Sequence, residues 1–205
     1  MKVDLEKNWP MPGDAATTWA FLQNIEGVAS CMPGAKITEK TDDTHYKGTV
    51  SVKVGPASMA FKGSIVVAVL DATTRTLHLI GKGSDSTGTS GATMDLVATV
   101  EDGDAPGTSS LAGRSEVSMS GKAAAFGGRM MGTVADQILK QFADNFAAQV
   151  KALSDAQNAA TATGGTAAVQ PVVITPAPAK ELNALALFWA IVRDWFRGLF
   201  RSKAA

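Results

Sequence analysis

From Ala35 to Gly121 the chain alternates. In "HYKGTVSVKV" Tyr46, Gly48, Val50, Val52 and Val54 take one parity, and His45, Lys47, Thr49, Ser51 and Lys53 take the other. A period of two marks a strand with one face on a core. The same pattern returns at Met59, Phe61, Gly63, Ile65, Val67 and Val69, then at Leu77, Leu79, Gly81 and Gly83. It returns again at Ala92, Met94, Leu96, Ala98 and Val100, and at Leu111, Gly113, Ser115, Val117 and Met119. Turn signals separate the runs: Gly55-Pro56, "DATTRT" and "EDGDAPG". Consecutive strands with short turns predict an antiparallel meander. Residues 2–9 predict a first strand, closed by Pro10 and Pro12.

Elsewhere the period is helical. Asp14 stands in N-cap position before "AATTWAFL", a short helix. "NIEGVASC" predicts a second, which "MPG" ends, because Pro33 disfavours helix in the residue before it. A long helix follows the strands. Phe126, Met130, Val134, Ile138, Phe142, Phe146, Val150 and Leu153 recur every three or four residues and share one face. Gly127, Gly128 and Gly132 weaken its start by roughly 1 kcal/mol each against Ala. Such glycines are tolerated where backbone must approach something closely.

The last fifty residues read differently. From Asn158 to Ala179 there is no charge, and Pro171, Pro176 and Pro178 stiffen the second half. This is linker composition. Its 22 residues would span about 25 Å as a coil and roughly 75 Å when stretched. Beyond it, Leu185, Phe188, Trp189, Val192, Trp195, Phe196 and Leu199 form one broad helical face, and Arg193, Arg197 and Arg201 another. The apolar run from Ala184 to Val192 is nine residues, against the ~20 a spanning helix needs. The pattern is that of a helix lying in a membrane interface. Burying ~500 Å² there yields about 12 kcal/mol gross, before ordering costs, and each basic residue near anionic lipid adds about 1 kcal/mol. Docking on a partner protein, or back on the chain itself, are the alternatives. The domains expected are a globular body at 1–155, a linker at 156–180 and an amphipathic helix at 181–203.

Charge supports two jobs. From Lys180 onward five basic and two acidic side chains leave the tail at +3, and since the whole chain is neutral, the body carries −3. Overall neutrality argues against nucleic acid as a partner. One cysteine, Cys31, forms no internal disulfide, and the N-terminus shows no secretory h-region. The expected location is the cytoplasm, peripheral on the inner face of the cytoplasmic membrane.

Catalytic chemistry is hard to place. A nucleophile with its base, or paired carboxylates, needs polar residues on the inner faces. Those faces offer Tyr46 and Ser115, while His45 and His78 fall on the outward parity. Two outward histidines and one cysteine do not build a metal site. "GKGSDSTGTSG" lacks the order of a phosphate loop and reads better as strand, turn, strand. Cys31 reads as a small buried hydrophobe. The inner-face glycines either leave room for an apolar cavity or serve curvature around a filled core.

A strand, two short helices, six strands and a long C-terminal helix resemble the START-like, helix-grip (SRPBCC) superfamily, an α+β fold. Within it, "NIEGVASCMPGAK" and "GKAAAFGGRMMGTVADQILKQFADNFAAQV" resemble the carbon monoxide dehydrogenase G-subunit family. The motifs are Cys-x-Pro-Gly, met by Cys31, Pro33 and Gly34, and a Gly-rich approach to the last helix, met by Gly121, Gly127 and Gly128. The likeness covers about residues 1–152. It implies a non-catalytic accessory protein that recruits a carbon monoxide dehydrogenase, or related molybdenum hydroxylase, to the membrane. The fold implies binding of a lipophilic molecule such as a quinone, with no covalent cofactor. Expected contacts for it are Met32, Val54, Phe61, Met94, Met119, Phe126, Met130 and Phe142, each of which could equally be plain core. Two other readings stay open: a ligand-free scaffold, and a cyclase- or hydrolase-like enzyme on the same fold.

Overall fold

The computed structural model describes residues 1–54, 57–126 and 128–162, without the side chains of 53, 54, 57, 126, 128–131 and 162. The expected terminal helix at 181–203, with Leu185, Phe188, Trp189, Val192, Arg193, Trp195, Phe196, Arg197, Leu199 and Arg201, lies outside the described residues, as does the linker beyond 162.

The elements follow the expected order. They are β1 (Lys2–Met11), α1 (Ala15–Leu22), α2 (Ile25–Cys31), β2 (Ala35–Lys40), β3 (His45–Val54), β4 (Ala57–Asp71), β5 (Thr76–Asp85), β6 (Ser90–Asp102), β7 (Ser109–Gly121), a short 3-10 turn (Lys122–Phe126) and α3 (Gly128–Ala162). The strands form one antiparallel sheet in the order β1-β7-β6-β5-β4-β3-β2. Chain neighbours are sheet neighbours from β2 to β7, and β1 closes against β7. The fold is α+β, with α3 on one face of the sheet.

Local chemistry sets the boundaries. Asp14 caps α1, accepting from the Thr17 amide at 2.7 Å, and Asn24 caps α2, accepting from the Gly27 amide at 3.0 Å. These satisfy amides that a helix start leaves unpaired. The expected parities hold on β3, β5, β6 and β7. On β4 one expectation is overturned. The register shifts between Val67 and Val69, so Val69 pairs with His78 of the outer parity and Leu70 with Leu77 of the inner one, although at this end of the strand both are exposed, 44% and 49%. A bulge adds one residue and reverses the parity beyond it. In "IVVAVL" every position is apolar, so alternation does not reveal the extra residue.

The last helix also runs past the expected boundary at 155, to Ala162. The Ala-rich segment favours helix, and Thr17 Oγ1 donates to Gln157 Oε1 at 2.8 Å, tying it to α1.

The glycine question resolves toward curvature at the centre of the sheet. Gly48, Gly63 and Gly83 lie opposite one another across β3, β4 and β5. A Cβ on Gly63 would collide with the Lys82 carbonyl and the Gly83 backbone. Such close approach is what a bend at a strand-interior glycine permits.

Candidate functional site

The face of the sheet that meets α3 has two unlike halves. One is sealed. Met11, Leu77, Val100 and Leu111 are each at most 3% exposed, and Phe146 and Val150 of α3 are fully buried over them. Phe21 of α1 meets Phe146 at a 4.8 Å centroid distance, and Trp9 meets Phe142 edge-on at 6.2 Å. A buried hydroxyl pair locks this end: Thr18 Oγ1 and Ser109 Oγ lie 2.7 Å apart, and Ser109 donates onward to the Gly13 carbonyl at 2.8 Å.

The other half is open. On the same face, Val3, Leu5, Val52, Met59, Phe61, Val117 and Met119 are only partly buried and Val50 is 38% exposed, while Met94 and Leu96, also partly buried, pack against the sealed core at its edge. Val134 and Ile138, on the stripe of α3 that seals the first half, are partly exposed here. Apolar area left to water is what a ligand could cover, at about 25 cal/mol per Å².

The structure divides the sequence-predicted contacts. Phe61 and Met119 stand on the open half, and Met94 at its border with the sealed core. Phe61 lies opposite Val50, Met94 opposite Gly81 and Val117, and Met119 opposite Ala92. Phe142 packs between Trp9 and Phe146, where the halves meet. Met32 follows α2, half-buried, as its C-cap. The side chains of Val54, Phe126 and Met130 lie outside the described residues. Sequence reasoning missed Trp9, Val3 and Leu5, because the parity of β1 is assigned only by its register with β7.

Polar groups that reach this face are mostly satisfied. Lys7, on the inner parity of β1, pairs with Asp136 of α3 at 2.9 Å. The Tyr46 hydroxyl donates to the Asp43 carbonyl at 3.3 Å, and Ser90 Oγ accepts from the Ala123 amide at 3.1 Å. Asp85 is held by the β5–β6 turn, and the Thr87 hydroxyl, then the Ser90 amide, keep its carboxyl below the usual range. That carboxylate also settles the Gly-rich loop as a turn, since an anion there opposes phosphate. Ser115 is different: among the described residues its buried Oγ has no hydrogen-bond partner.

Other candidate chemistry lies elsewhere. His78 pairs with Asp95 at 2.9 Å on the outer face, and His45 with Asp42 at 3.0 Å in a turn. No cluster of three metal-ligating side chains occurs among the described residues. An open depression of about 620 Å³, lined mostly by outer-face residues such as Asn8, Val97 and Thr99, is crossed by the exposed Arg114–Glu6 pair. Among the described residues no helix is long and apolar enough to cross a membrane.

The two motifs have physical grounds. Cys31 is 2% exposed, and burial pushes its thiol up to about 11, so it is packing rather than a nucleophile. Asn145 of α3 donates to its carbonyl at 2.9 Å. Gly34 has φ +77° and Gly121 φ +65°, and a Cβ on either would strike backbone, of Ser51 and Thr89 respectively. The model of the CoxG family, the G subunit of carbon monoxide dehydrogenase, matches residues 12–151. The chain belongs to the CoxG family. This CoxG chain's fold is START-like. It resembles a conserved protein from Geobacillus kaustophilus with a TM-score of 0.65 at 18% identity, covering 73% of this chain and 95% of that one. It also resembles the ZhuI aromatase/cyclase from a Streptomyces species (TM-score 0.54, 12% identity, 74% and 94% covered). A START superfamily protein from Mycobacterium smegmatis gives a TM-score of 0.52 at 14% identity, with 73% and 98% covered. No curated sequence matches the chain.

Proposed function

We propose that this CoxG-family chain is a non-catalytic accessory protein of a molybdenum-containing carbon monoxide dehydrogenase, or related hydroxylase, and that it carries a lipophilic molecule, a quinone, on its open inner half. The observation that carries this reading is the apolar, half-exposed wall facing α3. Phe61, Met94, Val117 and Met119 supply grease and no acid–base pair. The cyclase relative shows that this fold can host an enzyme. An enzyme, however, needs a titratable group free to act there, and Lys7 is held by Asp136.

The arrangement makes physical sense for an enzyme in water whose electron acceptor dissolves in the bilayer. A carrier with an apolar wall takes the acceptor from lipid and presents it to the enzyme. The Pro-containing segment and the aromatic, arginine-bearing terminus support a tether at the inner face of the cytoplasmic membrane.

Two measurements test this. Organic extraction of the purified full-length chain, followed by mass spectrometry, should recover a quinone. Absence of any quinone, together with no binding on titration, would sink the carrier role. Removing residues 181–205 should abolish co-sedimentation with anionic vesicles, and persistence of binding would remove the tether.

A further inference from the structure

We propose that Ser115 is the polar anchor of this site, donating its hydroxyl proton to a carbonyl oxygen of the ligand. The proposal rests on the carrier reading above and names the chemistry by which that site selects its occupant. Ser115 lies midway along β7 on the inner parity. Leu5 of β1 and Leu96 of β6 stand directly opposite it on either side. Among the described residues its buried Oγ has no hydrogen-bond partner. An unpaired hydroxyl in an apolar wall is unfavourable, and a core residue of that size could be Ala at no such cost. Lys7, Tyr46 and Ser90 on this face have partners within the protein; Ser115 keeps its proton to give.

Its position fits an anchor. Two residues along β7 is Gly113, and the Trp9 ring comes within 3.9 Å of where a Cβ there would sit. Trp9 against Phe142 therefore closes the sealed half beside Ser115. In the other direction lie Val117, Met94 and Val3, which lead into the open half. A flat ring set against the Trp9–Phe142 pair brings a ring carbonyl to Ser115 and leaves its hydrocarbon tail along Met94 and Met119.

One neutral donor suits one neutral acceptor. A carbonyl is satisfied by a single O–H. A carboxylate or phosphate placed there would be a buried charge with one hydrogen bond, which is strongly unfavourable. A bare hydrocarbon leaves the hydroxyl unpaired. The site is thus specific for a neutral, planar ketone with an apolar tail, and it rejects fatty acids and phospholipid headgroups.

The test titrates the full-length chain, in a fixed amount of neutral detergent micelles, with 2-decyl-1,4-benzoquinone and with decylbenzene, which lacks the ring oxygens. The wild type should bind the quinone about five- to tenfold more tightly, the ratio expected of one neutral hydrogen bond. Ser115→Ala should lose that ratio, with decylbenzene binding unchanged, and Ser115→Thr should keep it. With a carbonyl-labelled quinone, infrared spectra should show a lowered C=O stretch in the wild type and Ser115→Thr, absent in Ser115→Ala. Undiminished quinone affinity and an unchanged stretch in Ser115→Ala overturn the assignment while leaving the carrier reading intact. If neither compound binds the wild type, the carrier reading itself falls.

Discussion

Phe146 and Ile138 belong to one apolar stripe of α3, about two turns apart, yet Phe146 is fully buried and Ile138 is partly exposed. The sheet beneath them repeats the contrast. Leu111 and Val117 share the inner parity of β7, but Leu111 is 2% exposed and Val117 is only half-buried. The two halves are built from the same strands and the same residue types. What differs is cover: α1, with Trp19, Phe21 and Leu22 buried, closes one end and has no counterpart among the described residues at the other. Stability therefore resides in one half, which leaves the other free to expose apolar surface.

The largest effect should come from breaking the sealed half. Phe146→Ala removes a fully buried ring that touches Phe21 and Phe142 and should cost about 3–5 kcal/mol. Phe61→Ala, on the open half, should cost less than about 1.5 kcal/mol, because partial burial leaves less transfer energy to lose. Urea unfolding of both variants checks this, and equal losses would erase the distinction between the halves. Next in size is Ser109→Ala, which strands the Thr18 hydroxyl and the Gly13 carbonyl. Its cost should be about 1–3 kcal/mol. Ser115→Ala offers the matching probe at the junction: with no partner to strand, its unfolding midpoint should stay level or rise.

These contrasts also mark what sequence could and could not tell. The meander of consecutive strands and most inner-face positions were legible, because Tyr46 to Val54 or Leu111 to Met119 alternate against plainly polar neighbours, whereas the pairing of β1 with β7 was not. The Val67–Val69 bulge was not, because its surroundings are apolar on both parities. Gly63 could have meant spare volume or curvature, and only the distance to Lys82 and Gly83 decides. Met94 and Met119 were recognisable as apolar inward residues. Their placement on the open side depends on where α1 and α3 cover the sheet, a long-range relation that local periodicity does not encode. Ser115 stood out as a polar residue at an inward position, but that it has no partner among the described residues is a three-dimensional fact.

Smaller again is the cap of α1, which helps hold the sealing helix. The hydrogen bond from the Thr17 amide keeps the Asp14 carboxyl below its usual value. A depressed folded-state value means that the charged cap stabilises above the unfolded-state value. That stabilisation fades as pH falls through the folded one. Asp14→Ala should therefore cost about 1 kcal/mol near neutrality. The gap from wild type should narrow below about pH 4. A gap that stays constant down to acid would show that the cap acts by shape rather than charge.

The smallest effect belongs to the clasp at the rim. Lys7 and Asp136 join edge strand β1 to α3 at 2.9 Å, with side chains 39% and 63% exposed. An ion pair that wet contributes about 0–1 kcal/mol, so Lys7→Met should barely move the unfolding midpoint. Whatever it does move should shrink between about 0.05 M and about 0.5 M salt, as screening shortens the reach of the charge. Its value lies in direction rather than size. Lys7 is the inner-parity residue of β1 between Leu5 on the open half and Trp9 on the sealed one. If the clasp holds α3 over the open half, Lys7→Met should speed both uptake and release of the decyl quinone and leave their ratio unchanged. If those rates do not change, α3 is positioned by its buried end alone, through Phe146 and Val150, and the open half is a passive consequence of how the sealed half packs.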